Sequence, residues 1–196
     1  MTIIQKLREC WKLVLASVVG LFIFGSVFAI GAVELLTVTN TEQFCIGCHE
    51  MKDNPYKEYI GTIHDSNRTG VRATCPDCHV PHELFPKLYR KAIASFELYS
   101  KFVTHDIDTR EKFVSKRYEL ATHEWKRFKT TDSHQCRNCH DVNHMSSTLQ
   151  SPKAQARHAK MKTENMTCID CHFGIAHEEP EGPGPRELFD EKGNKK

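Results

Sequence analysis

Eight of the nine cysteines fall in four copies of one pattern, Cys-x-x-Cys-His: CIGCH (Cys45, Cys48, His49), CPDCH (Cys75, Cys78, His79), CRNCH (Cys136, Cys139, His140) and CIDCH (Cys168, Cys171, His172). A zinc ion, a reversible disulfide and a covalently attached haem all use a Cys-x-x-Cys pair, so the pair alone decides nothing. Zinc sites space their second ligand pair well away from the first, and a histidine touching the second cysteine is poorly placed to share a tetrahedral ion with it. A thioredoxin-like redox pair needs no following histidine and sits near a βαβ pattern, which this chain lacks. In a c-type haem site every residue has a task. The two thiols add to the porphyrin vinyl groups, the two-residue gap matches the spacing of those groups, and the adjacent imidazole falls under the ring to ligate iron. Four patterns therefore predict four covalently bound haem c groups.

The other histidines repeat with the motifs. His49 is followed by His64, Cys75 and then His82, and His140 is followed by His158, Cys168 and then His177 at similar intervals. Each half thus supplies two attachment sites and two spare histidines. A bis-histidine iron needs one imidazole more than its motif provides. The repeat logic predicts His64, His82, His158 and His177 as distal ligands. A histidine so close to its own motif is expected to serve a neighbouring haem. His105, His123, His134 and His144 are read as surface residues. Met51, two residues after His49 in CIGCHEM, competes for the first iron, because a thioether is a weak ligand that raises haem potential. A packing methionine is the alternative reading, and the choice among His49, Met51 and His82 at the first iron stays open.

These groups need a compartment and a scaffold. Leu13 to Val33 is an uncharged run of 21 residues, long enough to cross a bilayer as one helix. Lys6, Arg8 and Lys12 precede it against Glu9 alone, so the positive-inside rule predicts a cytoplasmic segment 1–12, an anchor 13–33 and an external, periplasmic remainder at the bacterial inner membrane. A cleaved signal peptide is the alternative, but its apolar region usually runs about 7–15 residues. Cys10 is left as a free thiol at the cytoplasmic membrane edge. The whole chain has 27 basic and 25 acidic residues; without residues 1–33 it has 24 of each, which gives no reason to expect a nucleic-acid partner.

An external domain of this size that encloses four macrocycles must use the porphyrins as much of its core. The expected fold class is mostly α with much irregular structure: one N-terminal transmembrane helix plus a multihaem domain, 34–179, built as a duplicated dihaem unit. The halves are placed at about 42–84 and 132–179, a helical insert at 85–131, and a Pro- and Gly-rich flexible tail at 180–196. Within the insert, 85–103 has apolar residues at helical spacing among basic ones, which suits a membrane surface or a packed helix with a solvated face. Asp108 followed by Glu111 resembles a capping-box start for a second helix ending about Phe128.

The runs EQFCIGCHEM, NRTGVRATCPDCHVPHE, RKAIASFELY and TCIDCHFGIAH resemble the membrane-anchored tetrahaem cytochromes c of the NapC/NirT family, over nearly the whole chain. The resemblance implies a quinol dehydrogenase that takes electrons from the membrane quinol pool and passes them to a periplasmic reductase, such as nitrate reductase, or to a soluble cytochrome c. It implies the same four distal histidines, and a methionine near the first haem in a related protein maps onto Met51. It also implies a quinol pocket with a lysine and an acid after the second motif, for which Lys91 and Glu97 are the nearest matches. Relatives often carry a lysine directly before that acid, where this chain has Phe96. Quinol oxidation needs a proton acceptor, for which Glu97 serves if partial burial raises its pKa, and a donor to the quinone oxygen, for which Lys91 serves. Two rivals remain: a non-catalytic anchor and electron-transfer subunit of a nitrite or other reductase complex, and a small terminal reductase. The spare histidines disfavour the second. A homo-oligomer is compatible with either reading.

Overall fold

The computed structural model describes residues 3–161, 163–190 and 192–196. These residues form helices and irregular turns with no β-strand, and one isolated antiparallel bridge joins Phe189 to Lys195. The longest element is α1, Ile3–Val38. Its apolar stretch, Cys10–Val38, spans 29 residues, and its side chains face outward all round, with Leu21 71%, Phe22 75% and Phe28 70% exposed. At about 1.5 Å per residue this stretch exceeds the roughly 30 Å of bilayer hydrocarbon. Apolar on every side, it is long and apolar enough to cross a membrane. Of the segment 1–12, residues from Ile3 onward are the first part of α1, while Met1 and Thr2 lie outside the described residues.

Beyond α1 each motif sits on a turn-length helix. These are α2 (Glu42–Cys45), α3 (His49–Met51), α5 (Cys75–His79), α8 (His134–Arg137) and a 3₁₀ turn at Cys168–Asp170, and α4 (Lys57–Tyr59) is a similar turn that carries no motif. A π-helical turn, Lys52–Tyr56, joins α3 to α4. The second and fourth motifs share the local sequence Thr-Cys-x-Asp-Cys-His, and both close as capping boxes. Asp77 accepts from the Thr74 backbone N–H at 2.7 Å, and Asp170 accepts from that of Thr167 at 2.7 Å. Each box uses an aspartate three residues after the cap to satisfy amides that a short helix leaves unpaired.

Two longer helices fill the step between second and third motifs. The first is α6, Leu84–Tyr99, extended by a π turn at Ser100–Thr104. The second is α7, Arg110–Thr130. The α7 start differs by one residue from the expected Asp108 cap: the Thr109 hydroxyl accepts from the Lys112 amide at 3.3 Å, because Asp108 instead binds the Lys112 ammonium at 2.7 Å.

α7 is the spine of the external domain. Arg110 donates to Asn54 at 2.9 Å and Arg117 to Glu58 at 2.7 Å, both after the first motif. Glu124 meets His79 of the second motif at 3.1 Å, and Lys129 donates to Asp170 of the fourth at 2.7 Å. Its apolar face supplies Trp125 and Phe128 to a small core with Ile169 and Phe189, and Trp125 meets the Phe173 ring edge-on at 5.4 Å. Six buried apolar side chains are found among the described residues. So small a protein core for a domain this long leaves much of the interior to be supplied otherwise.

The segment 180–196, expected to be a flexible tail, is folded onto α7. It contains α9's successor α10, Pro185–Leu188, where α9 is Pro152–Lys160. Phe189 is 2% exposed, and the Tyr118 hydroxyl donates to Pro183 O at 3.0 Å. Gly182, at φ 135°, lies against the Tyr118 ring, and a Cβ there would come 2.6 Å from it. The prolines that read as disorder instead pre-set a turn, and the single aromatic Phe189 anchors it.

Candidate functional site

Three of the four motif histidines face a second imidazole. The ring centroids of His64 and His140 are 6.2 Å apart, those of His79 and His177 6.1 Å, and those of His158 and His172 6.1 Å. With metal–nitrogen bonds of about 2.0 Å and ring centres roughly 1.1 Å further out, an ion held axially between two imidazoles sets the centroids about 6.2 Å apart. The donors converge in pairs. Among the described residues no group of three or more His, Cys, Asp or Glu side chains surrounds a common point. Axial pairs beside free Cys-x-x-Cys thiols fit a haem iron, and the zinc alternative lacks its ligand set.

The pairs cross the chain. His64, from the first half, faces the third motif, and His177, five residues past the fourth motif, faces the second. Only His158 faces a motif of its own half.

Nδ1 partners orient several of these rings. Nδ1 of His79 lies 3.1 Å from Glu124 Oε2, Nδ1 of His177 lies 3.1 Å from the Pro55 carbonyl, and Nδ1 of His158 lies 2.8 Å from Gln150 Oε1. An acceptor at Nδ1 holds the proton there and leaves Nε2 bare for metal. Burial, with His158 and His140 nearby, pushes His172 below the usual histidine range, and burial with His79 does the same for His177. Neutral imidazole is the ligating form. Burial alone would raise Glu124; the His79 hydrogen bond, with Arg127 and Arg90, outweighs it and holds the carboxyl well below the usual range. Glu124, Gln150 and Pro55 escaped the sequence reading. A charged residue in a helix of alternating charges gives no signal of the ring it will meet.

The motifs follow one another in space. The first motif's α2 packs on α5 of the second, and the Ile169 N–H in the fourth motif donates to Ser133 Oγ, just before α8 of the third, at 3.1 Å. Between them, α5 packs on α8. The four motifs therefore run as a continuous row from first to fourth.

The first motif is different. His49 is largely exposed, with Nε2 3.1 Å from Glu50, and the His82 side chain is 54% exposed, with Asp77 at 3.9 Å. Neither makes an imidazole pair, and the 40% exposed Met51 lies on the same short helix as His49. The structure does not bring His82 to a motif histidine as it does His64, His158 and His177. His105, His123, His134 and His144 are all exposed.

Lys91 and Glu97 sit on α6. Lys91 Nζ donates to both the carbonyl and the hydroxyl of Thr39, at 2.9 Å each, one residue past the end of α1. Burial pushes the ammonium below the usual lysine range, with the Cys45 sulfur opposing. Glu97 is 60% exposed and accepts from Arg90 at 3.1 Å. The partial burial that its role as a proton acceptor requires is not found, and six residues on from Lys91 it lies on another side of α6. Arg90 also donates to Glu124 at 3.2 Å, so Glu97, Arg90, Glu124 and His79 form one connected chain.

Comparisons with known proteins identify a family. Residues 7–182 match the NapC/NirT cytochrome c family, N-terminal region. The denitrification system component NirT of Stutzerimonas stutzeri is 54% identical over 165 residues, covering 84% of this chain and 81% of the relative. The cytochrome c-type protein NapC of Paracoccus pantotrophus is 52% identical over 166 residues, 84% of this chain and 70% of the relative. NapC of Escherichia coli K12 is 44% identical over 188 residues, 91% and 92%. No solved structure matches. With its four Cys-x-x-Cys-His motifs, its three facing imidazole pairs and these relatives, the chain is a c-type cytochrome of electron transport, and it belongs to the NapC/NirT family.

Proposed function

We propose that the protein is a quinol dehydrogenase of the bacterial inner membrane, with its N-terminus cytoplasmic and its haem domain periplasmic, feeding electrons to a periplasmic reductase. The observation that carries this reading is the Lys91–Thr39 contact, which holds a half-buried cation at the point where α1 ends and beside the first motif. A quinol head group that stays with its tail in the bilayer can reach that level and little further.

Quinol oxidation releases two electrons and two protons. When bound, the four haems supply a row of one-electron acceptors. The chain's own residues handle position and protons. An ammonium has three N–H donors; Thr39 takes two of them, which leaves one for a quinone oxygen. Burial strengthens that bond by excluding competing water. In this reading Glu97, exposed and paired with Arg90 rather than buried, takes a proton from the quinol and releases it to the periplasm. The names of the relatives, a denitrification component and NapC proteins, support a respiratory nitrogen-oxide reductase as the final acceptor.

The test is reduction of the purified, membrane-extracted protein by a water-soluble quinol analogue, followed in the haem absorption bands. Lys91→Gln should raise the quinol KM, and Glu97→Gln should slow the rate by about 10², while dithionite still reduces every haem. The separation of Lys91 and Glu97 into different hydrogen-bond groups favours a second reading, a passive anchor and relay subunit. Quinol reduction at the unmodified rate in both variants would leave that reading standing and remove this pocket.

A further inference from the structure

Helix α9 carries His158 on one side and a row of cations on another. Lys153, Arg157 and Lys160 fall at i, i+4 and i+7, one narrow stripe at 3.6 residues per turn, while His158 lies roughly 100° to 160° around the helix from them. All three are exposed, and none makes an ion pair or side-chain hydrogen bond among the described residues. From residue 142 to 163 the sequence contains no Asp or Glu. The next acid, Glu164, is taken by Arg186 at 2.8 Å. In an external domain with equal numbers of basic and acidic residues, this is a local, unneutralised positive surface.

An apolar point adjoins it. Leu149 is 83% exposed, in the 3₁₀ turn Ser147–Leu149 that leads into α9, next to Gln150, whose Oε1 holds His158 Nδ1. A cationic face around one exposed apolar side chain fits the small, charge-steered contacts of transient redox encounters. It does not fit a bilayer, because α9 offers no aromatic or long apolar side chain to insert.

We propose that the outer face of α9, with Leu149 at its edge, docks the acidic surface of a soluble one-electron acceptor protein. This rests on the proposed delivery of electrons to a periplasmic partner and names the surface and the charge of that partner. The fourth motif's distal imidazole would then stand on the helix that touches the acceptor, at the end of the row of motifs furthest from Lys91. One electron leaves a ferrous haem per encounter and reduces the acceptor by one.

The test uses full-length, haem-loaded protein in detergent. Its affinity for an acidic c-type cytochrome, both proteins oxidised, should fall with added salt. The triple variant Lys153→Gln/Arg157→Gln/Lys160→Gln should bind about tenfold more weakly at low salt with a flattened salt dependence, and Lys153→Arg/Lys160→Arg should retain binding. After dithionite reduction, one-electron oxidation of the triple variant by ferricyanide should slow, and oxidation by cationic tris(phenanthroline)cobalt(III) should quicken. Unchanged affinity and rates would overturn the proposal. So would equal losses toward both oxidants with an altered low-spin spectrum, which would make the cations supports for His158, or a deficit toward anionic phospholipid vesicles alone. Failure of the quinol reading would show only in the reduction half-reaction, which this variant leaves untouched.

Discussion

Oε2 of Glu124 sits 3.1 Å from Nδ1 of His79, so the helix that organises the external domain also sets the ring of the second motif. Arg127 and Arg90 hold the same carboxylate at 2.7 and 3.2 Å, which keeps it ionised. An anion at the far nitrogen makes the imidazole a stronger donor to a bound ferric iron.

Removing that charge should therefore raise one haem midpoint potential. Glu124→Gln keeps an acceptor at Nδ1 but not the anion, and the expected rise is about 60 mV, a tenfold change in a one-electron equilibrium. A spectroelectrochemical titration reads it. Four unmoved midpoints would mean that the carboxylate serves only to bind Arg90 and Arg127.

Changing His64, His158 or His177 to alanine should in each case convert one low-spin haem to high spin while intact mass still shows four attachments, because attachment needs only the motif. His82→Ala should leave those three low-spin signals alone. If His82→Ala disturbed the partner of His140, His79 or His172, the pairing of the rings would have to be redrawn.

Lys129 and Asp170 form a buried ion pair, their side chains 5% and 0% exposed. Lys129→Met leaves a buried carboxylate without its cation, which costs about 3–5 kcal/mol. The loss should appear as a large drop in melting temperature of the haem-loaded protein. A variant melting within a degree or two of the original would show that Asp170 is solvated or supported by its capping box alone.

Acid should weaken the contacts that α7 and the α6 extension make with the first-motif segment. Burial alone would raise Glu50 and Glu58, but the hydrogen bonds from Lys101 and Arg117 outweigh it and lower both. A carboxyl depressed in the folded state binds protons more readily when unfolded. Its contribution is thus full above the ordinary glutamate value of about 4.3 and is lost as pH falls through the folded value. Glu58→Gln should melt lower than the original at pH 7, and the gap should narrow below about pH 4. A gap that stayed constant down to pH 3 would assign the Arg117–Glu58 pair no linkage.

The cytochrome c motifs and the long apolar helix were legible in the sequence because both are local. A Cys-x-x-Cys-His turn carries its whole specification in five residues, as CPDCH and CIDCH do, and a run such as Leu13–Val33 declares a lipid environment by composition. The mostly helical architecture followed from the same reading, since short turns around cofactors leave no room for strands. The facing of the rings was not legible. His64 meets His140 and His79 meets His177 across distant parts of the chain, and repeat spacing offered His82 as an equal of His64 although it stands apart. Glu124, Arg117 and Lys129 look like the solvated face of a charged helix until the motif segments fold against them, and Phe189 looks like part of a disordered tail until it finds Trp125 and Phe128. A side chain's role in these cases is a property of what lies across from it, and only the tertiary structure decides that.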